Sequence, residues 1–304
     1  MQGADLRVLF ATNFSDACFR ASRAIAQLAD ACSINLSIVH VAKPGSPGIQ
    51  TWRELESFMA EAGNYNHCRR ILLESDDAVG SIADLCNTGG FDLVVAPATD
   101  RIGLLRPFVQ SFRSRLLAKC NAPLWTAGRS LDKSSFKGNY KTLACLINFG
   151  NPSTTHIRLA AALAAKTGAK LRLLSVVDGV DEGTLASATL SDAPLMDKVA
   201  AERIRASYGS LERPAVDVTI GDLAVELPRM LKRCDADLVF VGPSHVRRGL
   251  SSSRVASYLD RLPCPAVCVD GPSANFAGWK FQSVPSKSRA LEVVGRSAER
   301  AIAS

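Results

Sequence analysis

The stretch from residue 6 to residue 42 reads LRVLFATNFSDACFRASRAIAQLADACSINLSIVHVA. Residues 6–12 are an apolar run that predicts a buried strand, and Asn13 and Ser15 then supply side chains of the kind that cap helices. Apolar residues spaced by three and four follow, which predicts a helix with one buried face. A second apolar run at 34–41 predicts another strand, so the stretch is typical of two parallel strands joined by a helix.

The same alternation of strand and helix continues to about residue 127. Further strands are expected at about 69–74, 92–96 and 122–127, with helices at about 51–62, 78–87 and 107–119. Since such connections place helices on both faces of a sheet, we predict an α/β fold with a doubly wound, mostly parallel, five-stranded sheet.

The same order then begins again in the second half of the chain. Strands are expected at about 142–148, 170–177, 215–220, 237–241 and 265–270, and helices from about 153 and at about 194–207, 223–233 and 252–261. FDLVVAP at 91–97 parallels ADLVFVG at 236–242, which indicates a duplicated domain and two tandem sheets. The predicted parts are a first domain over 1–128, a polar linker over 129–140, a second domain over 141–271 and a basic tail over 272–304.

The formal net charge of +7 raises the question of a nucleic-acid partner, and its location argues against one. Six of the seven net positive charges lie in 128–141 and 272–304, around the linker and in the tail. In the tail, one stripe of a predicted terminal helix would hold Ala290, Leu291, Val294, Ala298, Ala301 and Ile302. This stripe either packs on its own domain or docks on a partner protein.

The nine cysteines are odd in number, and most of them fall within apolar strand or helix patterns. The N-terminal residues lack a cationic stretch ahead of a long apolar segment, and no apolar run is long enough to span a membrane. We therefore predict reduced, buried thiols, no metal site, no membrane partner and a cytoplasmic location.

Three features together resemble the universal stress protein family: a first strand that ends in Asn-Phe-Ser, a helix rich in Ala and Leu, and a second strand that reads LSIVHVA. The resemblance covers about 1–128 and 141–271 and implies an adenine nucleotide alpha hydrolase-like fold. It also implies a loop of pattern Gly-x2-Gly-x9-Gly-(Ser/Thr) after the fourth strand, which wraps the phosphates of ATP in members that bind it. Glycines there leave backbone N–H groups free to approach phosphate oxygens.

In the first domain, this pattern places Pro97, Asp100 and Gln110 at the three glycine positions and Ser111 at the hydroxyl position. Pro97 has no N–H to donate, and Asp100 would put a carboxylate against a polyphosphate. The loop of the first domain is therefore predicted to be degenerate.

In the second domain, Gly242 keeps the first glycine position, and His245 replaces the second. Ungapped spacing puts Val255 and Ala256 at the last two positions, whereas a short deletion would bring serines there. The candidate site for a nucleotide or a smaller anion combines donors and cations: Asn148, Gly242, Ser244, His245, Arg247, Ser252 and Ser253. The resemblance implies ATP, ADP or AMP as its ligand, and a solvated polar loop is the alternative.

Both first strands end in asparagine, at Asn13 and Asn148, where ATP-binding members of the family usually carry aspartate. Asparagine still accepts and donates hydrogen bonds, so the change weakens the nucleotide hypothesis without removing it. His40 is expected to be structural, and His67 and His156 have no acidic, Cys or His partner at useful spacing.

The sequence contains no nucleophile elbow, Walker loop or early dinucleotide motif, so no catalytic residue is predicted. The first hypothesis is a non-catalytic stress-response or regulatory protein. The second is an ATP- or AMP-responsive switch that acts through the second domain. The third is an enzyme of the wider nucleotide-binding α/β group, such as an ATP pyrophosphatase, and this sequence lacks the Ser-Gly-Gly-x-Asp-Ser loop of the pyrophosphatases.

The resemblance also implies pairing of the last strands, because members of the family usually dimerise through them and exposed edges invite pairing. In this chain APLWTA at 122–127 and CPAVCVDG at 264–271 would pair with each other, which predicts an intramolecular pseudo-dimer. A homodimer and an unknown protein partner stay open.

Overall fold

Ten strands and six helices alternate along the part of the chain that the computed structural model describes, which is residues 5–46, 48–60, 67–97, 112–127, 139–147, 155–177, 215–242, 259 and 261–269. The first half contains β1 (Leu6–Ala11), α1 (Asp16–Ala31), β2 (Ile34–Ala42), α2 (Ile49–Ser57), β3 (His67–Glu74), α3 (Ala78–Gly89), β4 (Leu93–Val95), α4 (Phe112–Lys119) and β5 (Leu124–Thr126). The second half contains β6 (Thr142–Leu146), α5 (Thr155–Thr167), β7 (Lys170–Val177), β8 (Ala215–Ile220), α6 (Leu223–Arg233), β9 (Leu238–Val241) and β10 (Ala266–Cys268).

The strands of both halves form one continuous sheet with the order β3-β2-β1-β4-β5-β10-β9-β6-β7-β8. Each half repeats the same order, and neighbouring strands within a half are parallel. The predicted α/β fold with a doubly wound, mostly parallel sheet is confirmed. The structure differs from the prediction in one respect: the two five-stranded sheets are joined into a single ten-stranded sheet.

The two halves meet where β5 lies antiparallel to β10. Trp125 is paired with Val267 at the centre of this junction, and each is 1% exposed. The pairs on either side are Leu124 with Cys268 and Thr126 with Ala266, so the pairing is symmetric about the central pair. Each half thereby covers the sheet edge that the other half would otherwise expose.

Helices cover the two faces of the sheet in separate sets. Residues of α1, α2 and α5, such as Ile25, Leu55 and Leu163, belong to one buried cluster. Residues of α3, α4 and α6 belong to the other, on the opposite face. Both clusters contain residues of both halves, so the hydrophobic core is continuous across the β5–β10 junction.

Some predicted boundaries differ from the structure. The helix α1 begins at Asp16 with Ser15 as its N-cap, as the sequence predicts, whereas α2 runs from Ile49 to Ser57 instead of the expected 51–62. Tyr140, which we had assigned to the polar linker, is 5% exposed and packs in the same cluster as α1 and α5. Burial raises the pKa of its phenol. The predicted helices at 194–207 and in the tail lie outside the described residues.

All nine cysteines are free thiols, and seven of them are buried. Within the described residues, no helix has both the length and the apolar character that crossing a membrane requires.

Candidate functional site

Ligands of open α/β sheets bind at the carboxyl ends of the strands, beside the point where the strand order reverses. In this sheet β1 lies between β2 and β4, and β6 lies between β7 and β9. The candidate sites are therefore the crevice between β1 and β4 in the first domain and the crevice between β6 and β9 in the second.

The strand registers show which residues of the two crevices are equivalent. Val8 of β1 is paired with Leu93 of β4, and Leu143 of β6 is paired with Leu238 of β9. The sequences FDLVVAP and ADLVFVG therefore align in space as well as in sequence. It follows that Pro97 of the first domain and Gly242 of the second occupy the same position, directly after the strand.

The crevice of the first domain contains a cavity of about 210 Å³. The carboxyl ends of β1, β2 and β4 line it, together with residues of α1, α3 and α4. Its polar lining side chains are Thr12, Asn13, Cys18 and His40. None of the described residues that line it is an Asp, Glu, Lys or Arg.

The polar groups of this cavity are engaged with the protein itself. The side-chain oxygen of Asn13 accepts hydrogen bonds from the Ser15 backbone N–H and the Cys18 thiol, each at 3.2 Å. His40 donates from Nδ1 to the Thr12 carbonyl oxygen at 2.9 Å. These bonds fix the side chains without a ligand.

Phe14 completes this arrangement. Its backbone N–H donates to the Thr12 hydroxyl at 3.0 Å, and its ring stacks on the His40 imidazole with a centroid distance of 4.5 Å. Phe14 adopts a φ of 59°, which is uncommon for a residue with a bulky side chain. The turn after β1 is thus held by contacts between Thr12, Phe14 and His40.

Pro97 closes the strand side of the first crevice. It is buried, lines the cavity and has no N–H to offer a phosphate. The remaining predicted loop positions of this domain, Asp100, Gln110 and Ser111, lie outside the described residues.

In the second domain the imidazole of His156, on α5, covers Gly242. A Cβ built on Gly242 would lie 2.5 Å from Nδ1 and 2.8 Å from Nε2 of that ring. Carbon contacts this short do not occur in proteins, so no side chain fits at residue 242 while the ring is in place. The glycine is therefore required by a packed imidazole, independently of any phosphate.

The hydrogen bonds of His156 fix its tautomer. The side chain is 2% exposed, and Nε2 lies 2.9 Å from the Leu146 carbonyl oxygen, which only accepts. Nε2 therefore carries the proton, and Nδ1 is left as an acceptor. Nδ1 is buried without a hydrogen-bond partner in the part of the chain that the structure describes.

Burial also sets the protonation of His156. Desolvation of the charged form lowers the pKa of the imidazole to about 4, and the bond to the Leu146 carbonyl only partly opposes this shift. At neutral pH the ring over Gly242 is therefore uncharged.

Of the seven predicted site residues, only Gly242 falls within the described residues. The other six are Asn148, Ser244, His245, Arg247, Ser252 and Ser253, and they lie outside that part of the chain. His156 was missed, because its partners are a backbone carbonyl and a glycine, and neither leaves a pattern in the sequence. Among the described residues, no three Cys, His, Asp or Glu side chains come together to hold a metal ion.

Comparison with known proteins adds the family. Residues 139–270 match the model of the universal stress protein family. The second domain is a universal stress protein domain. The predicted family is thereby confirmed for the second domain, and the first domain has the same strand order as this universal stress protein domain. No curated protein matches the sequence.

Several solved structures that match most of this chain share its fold. A universal stress protein from Archaeoglobus fulgidus is 14% identical, with a TM-score of 0.60 over 87% of this chain and 96% of that one. A Pseudomonas aeruginosa protein assigned to the universal stress proteins is 16% identical, with a TM-score of 0.58 over 88% and 93%. The cytoplasmic domain of a prokaryotic cation chloride cotransporter is 10% identical, with a TM-score of 0.53 over 90% and 98%. At these identities the likeness concerns the fold alone.

Proposed function

We propose that this chain is a non-catalytic universal stress protein with a regulatory role in the stress response. Its nucleotide loop is degenerate in the first domain and altered in the second. One observation carries the proposal: in both domains the first glycine position of the phosphate loop is not available to a phosphate. In the first domain it is Pro97, which has no N–H, and in the second it is Gly242, which lies under the His156 ring.

The physical argument concerns how a polyphosphate is held. Phosphate oxygens need several backbone N–H donors at close range, and cations that offset their charge. The described lining of the first cavity offers no Lys or Arg, and its asparagine and threonine oxygens accept bonds from the protein. From this described lining a polyphosphate would gain no partners equivalent to the water that it loses.

An ATP- or AMP-responsive switch in the second domain is the second candidate, and one observation favours it. The Nδ1 atom of His156 is a buried acceptor without a partner among the described residues, next to the retained Gly242. A ligand hydroxyl or amino group would satisfy this acceptor. Movement of the ring would also bare the glycine for a phosphate.

The purified full-length chain distinguishes the two candidates. Small molecules released by denaturation are identified by mass spectrometry, and thermal unfolding is followed with ATP, ADP and AMP. The first proposal expects no adenine nucleotide, no change in Tm and no release of phosphate from ATP. Near-stoichiometric nucleotide would overturn it, whereas the absence of both carriage and stabilisation removes the second.

His156→Ala tests the second candidate more directly, because it uncovers Gly242. If the second domain is a nucleotide switch, this variant should change the Tm shift that AMP or ATP produces. His67→Ala, which removes an exposed imidazole on β3, is the matched control. A cytoplasmic location and a homodimer stay predictions, to be tested by fractionation and by light scattering.

A further inference from the structure

Small residues make the cavity of the first domain. Ala11 ends β1 and Ala96 directly follows β4, and both line the cavity. By the strand registers, the second domain has Leu146 in place of Ala11 and Val241 in place of Ala96. The second domain therefore places larger side chains where the first domain has methyl groups.

The first residues of α3 and α6 show the same difference in side-chain size between the two domains. Asp77 is the N-cap of α3, and Asp222 is the N-cap of α6. The next residue is Ala78 in the first domain, where it lines the cavity, and Leu223 in the second. Three alanines thus stand opposite two leucines and a valine, so the two crevices differ in space as well as in polarity.

The chemistry of the cavity limits what enters it. Its remaining lining is apolar and includes Ile82 and Phe112, and no described lining residue carries a full charge. The polar groups of Asn13 and Thr12 accept hydrogen bonds from the protein. Among the described lining residues a charged ligand would find no counter-ion to offset its desolvation, whereas an apolar ligand would gain contacts with the walls.

The size of the cavity limits the ligand further. An apolar cavity of roughly 150 Å³ in another protein accommodates a benzene ring, and drug-sized ligands occupy roughly 300–1,000 Å³. The cavity of about 210 Å³ falls between these sizes. It suits a molecule of one or two rings.

We propose that the cavity at the carboxyl ends of β1, β2 and β4 binds a compact, uncharged, largely apolar molecule of one or two rings. This site would be the ligand-sensing part of the regulatory protein, so the inference rests on the proposed function. The second domain, with Leu146, Leu223 and Val241 at the equivalent positions, does not bind such a molecule.

Indole serves as the probe, and calorimetry or ligand-observed NMR measures its binding to the full-length protein. The wild type should bind indole with a Kd on the order of 1 mM or tighter, as expected for a ligand of this size. Indole-3-carboxylate, which adds a charge, should bind more weakly by about tenfold or more. Failure of the wild type to bind indole, or equal binding of both compounds, would overturn the proposal.

Ala78→Leu introduces the residue of the second domain and should weaken indole binding by about tenfold or more, because the leucine fills the cavity. Leu223→Ala is the matched control in the second domain and should leave the Kd unchanged. Both positions are half-buried, and circular dichroism checks that the variants fold. Ala96→Val replaces Ala78→Leu if the latter does not fold. Indole binding that neither filling variant weakens would contradict the proposed location.

Nucleotide titrations separate this inference from the proposed function. Stabilisation by ATP that persists in Ala78→Leu, with indole binding lost, would refute the proposed function and support the cavity as a site for an uncharged ligand. ATP that displaces indole from the wild type, and fails to bind Ala78→Leu, would overturn both.

Discussion

The buried imidazole of His156 makes the free energy of unfolding depend on pH in a calculable way. The ordinary pKa of 6.5 falls to about 4 in the folded protein, because burial disfavours the charged ring. Between these pH values the unfolded chain holds the proton and the folded chain does not. The contribution of His156 to the free energy of unfolding is therefore complete above pH 6.5. It is lost as the pH falls from 6.5 towards 4, and it changes little at lower pH.

The magnitude follows from the size of the shift. One pKa unit corresponds to about 1.36 kcal/mol, so this group should remove roughly 3 kcal/mol of stability between neutral pH and pH 4. This is a large part of the roughly 5–15 kcal/mol that stabilises a typical domain. Acid unfolding should therefore be sensitive to this one residue.

Urea denaturation at several pH values between 4 and 7 measures the effect in the wild type and in His156→Gln. Glutamine retains an N–H donor for the Leu146 carbonyl but does not titrate. The difference in unfolding free energy between the two proteins removes contributions from groups that both contain. The wild type should lose about 3 kcal/mol more than the variant on acidification. Parallel pH profiles would refute the buried, neutral state of His156, and His67→Gln controls for removal of an exposed imidazole.

Two further predictions concern single buried positions. Gly242→Ala should lower the unfolding free energy by about 1–3 kcal/mol, since its Cβ overlaps the His156 ring, and His156→Ala in the same chain should relieve much of that loss. Additive losses in this double-mutant cycle, measured in urea, would show that the two residues do not touch. Trp125→Ala should cost about 3–5 kcal/mol by opening a cavity at the β5–β10 junction. If calorimetry shows that Trp125→Ala lowers the unfolding temperature of only one half, the two halves do not share a core.

Most of the fold was predictable because strand and helix patterns in this chain are local and repeated. The strands over 170–177 and 215–220 and the helix over 223–233 were predicted with the boundaries that the structure has. Tyr140 lies at the end of a stretch that is polar in sequence, whereas the structure buries it in a cluster that contains residues of both halves. Local composition carries no information about such contacts.

The candidate site was less predictable. Gly242 was found by its place in a loop pattern, but the reason for a glycine there is the His156 ring, which comes from an unrelated part of the sequence. The cavity of the first domain did leave a signal. Aligning the two copies sets Ala96 against Val241, and a systematic difference in side-chain size between duplicated domains indicates a cavity in one of them.

The antiparallel pairing of β5 with β10 joins two related but non-identical halves within one polypeptide. In a dimer of identical subunits, every substitution appears twice, once in each crevice. In this chain a change at Ala96 leaves Val241 as it was. A substitution in one crevice can therefore alter that crevice alone, while the other keeps the packing on which the common sheet depends.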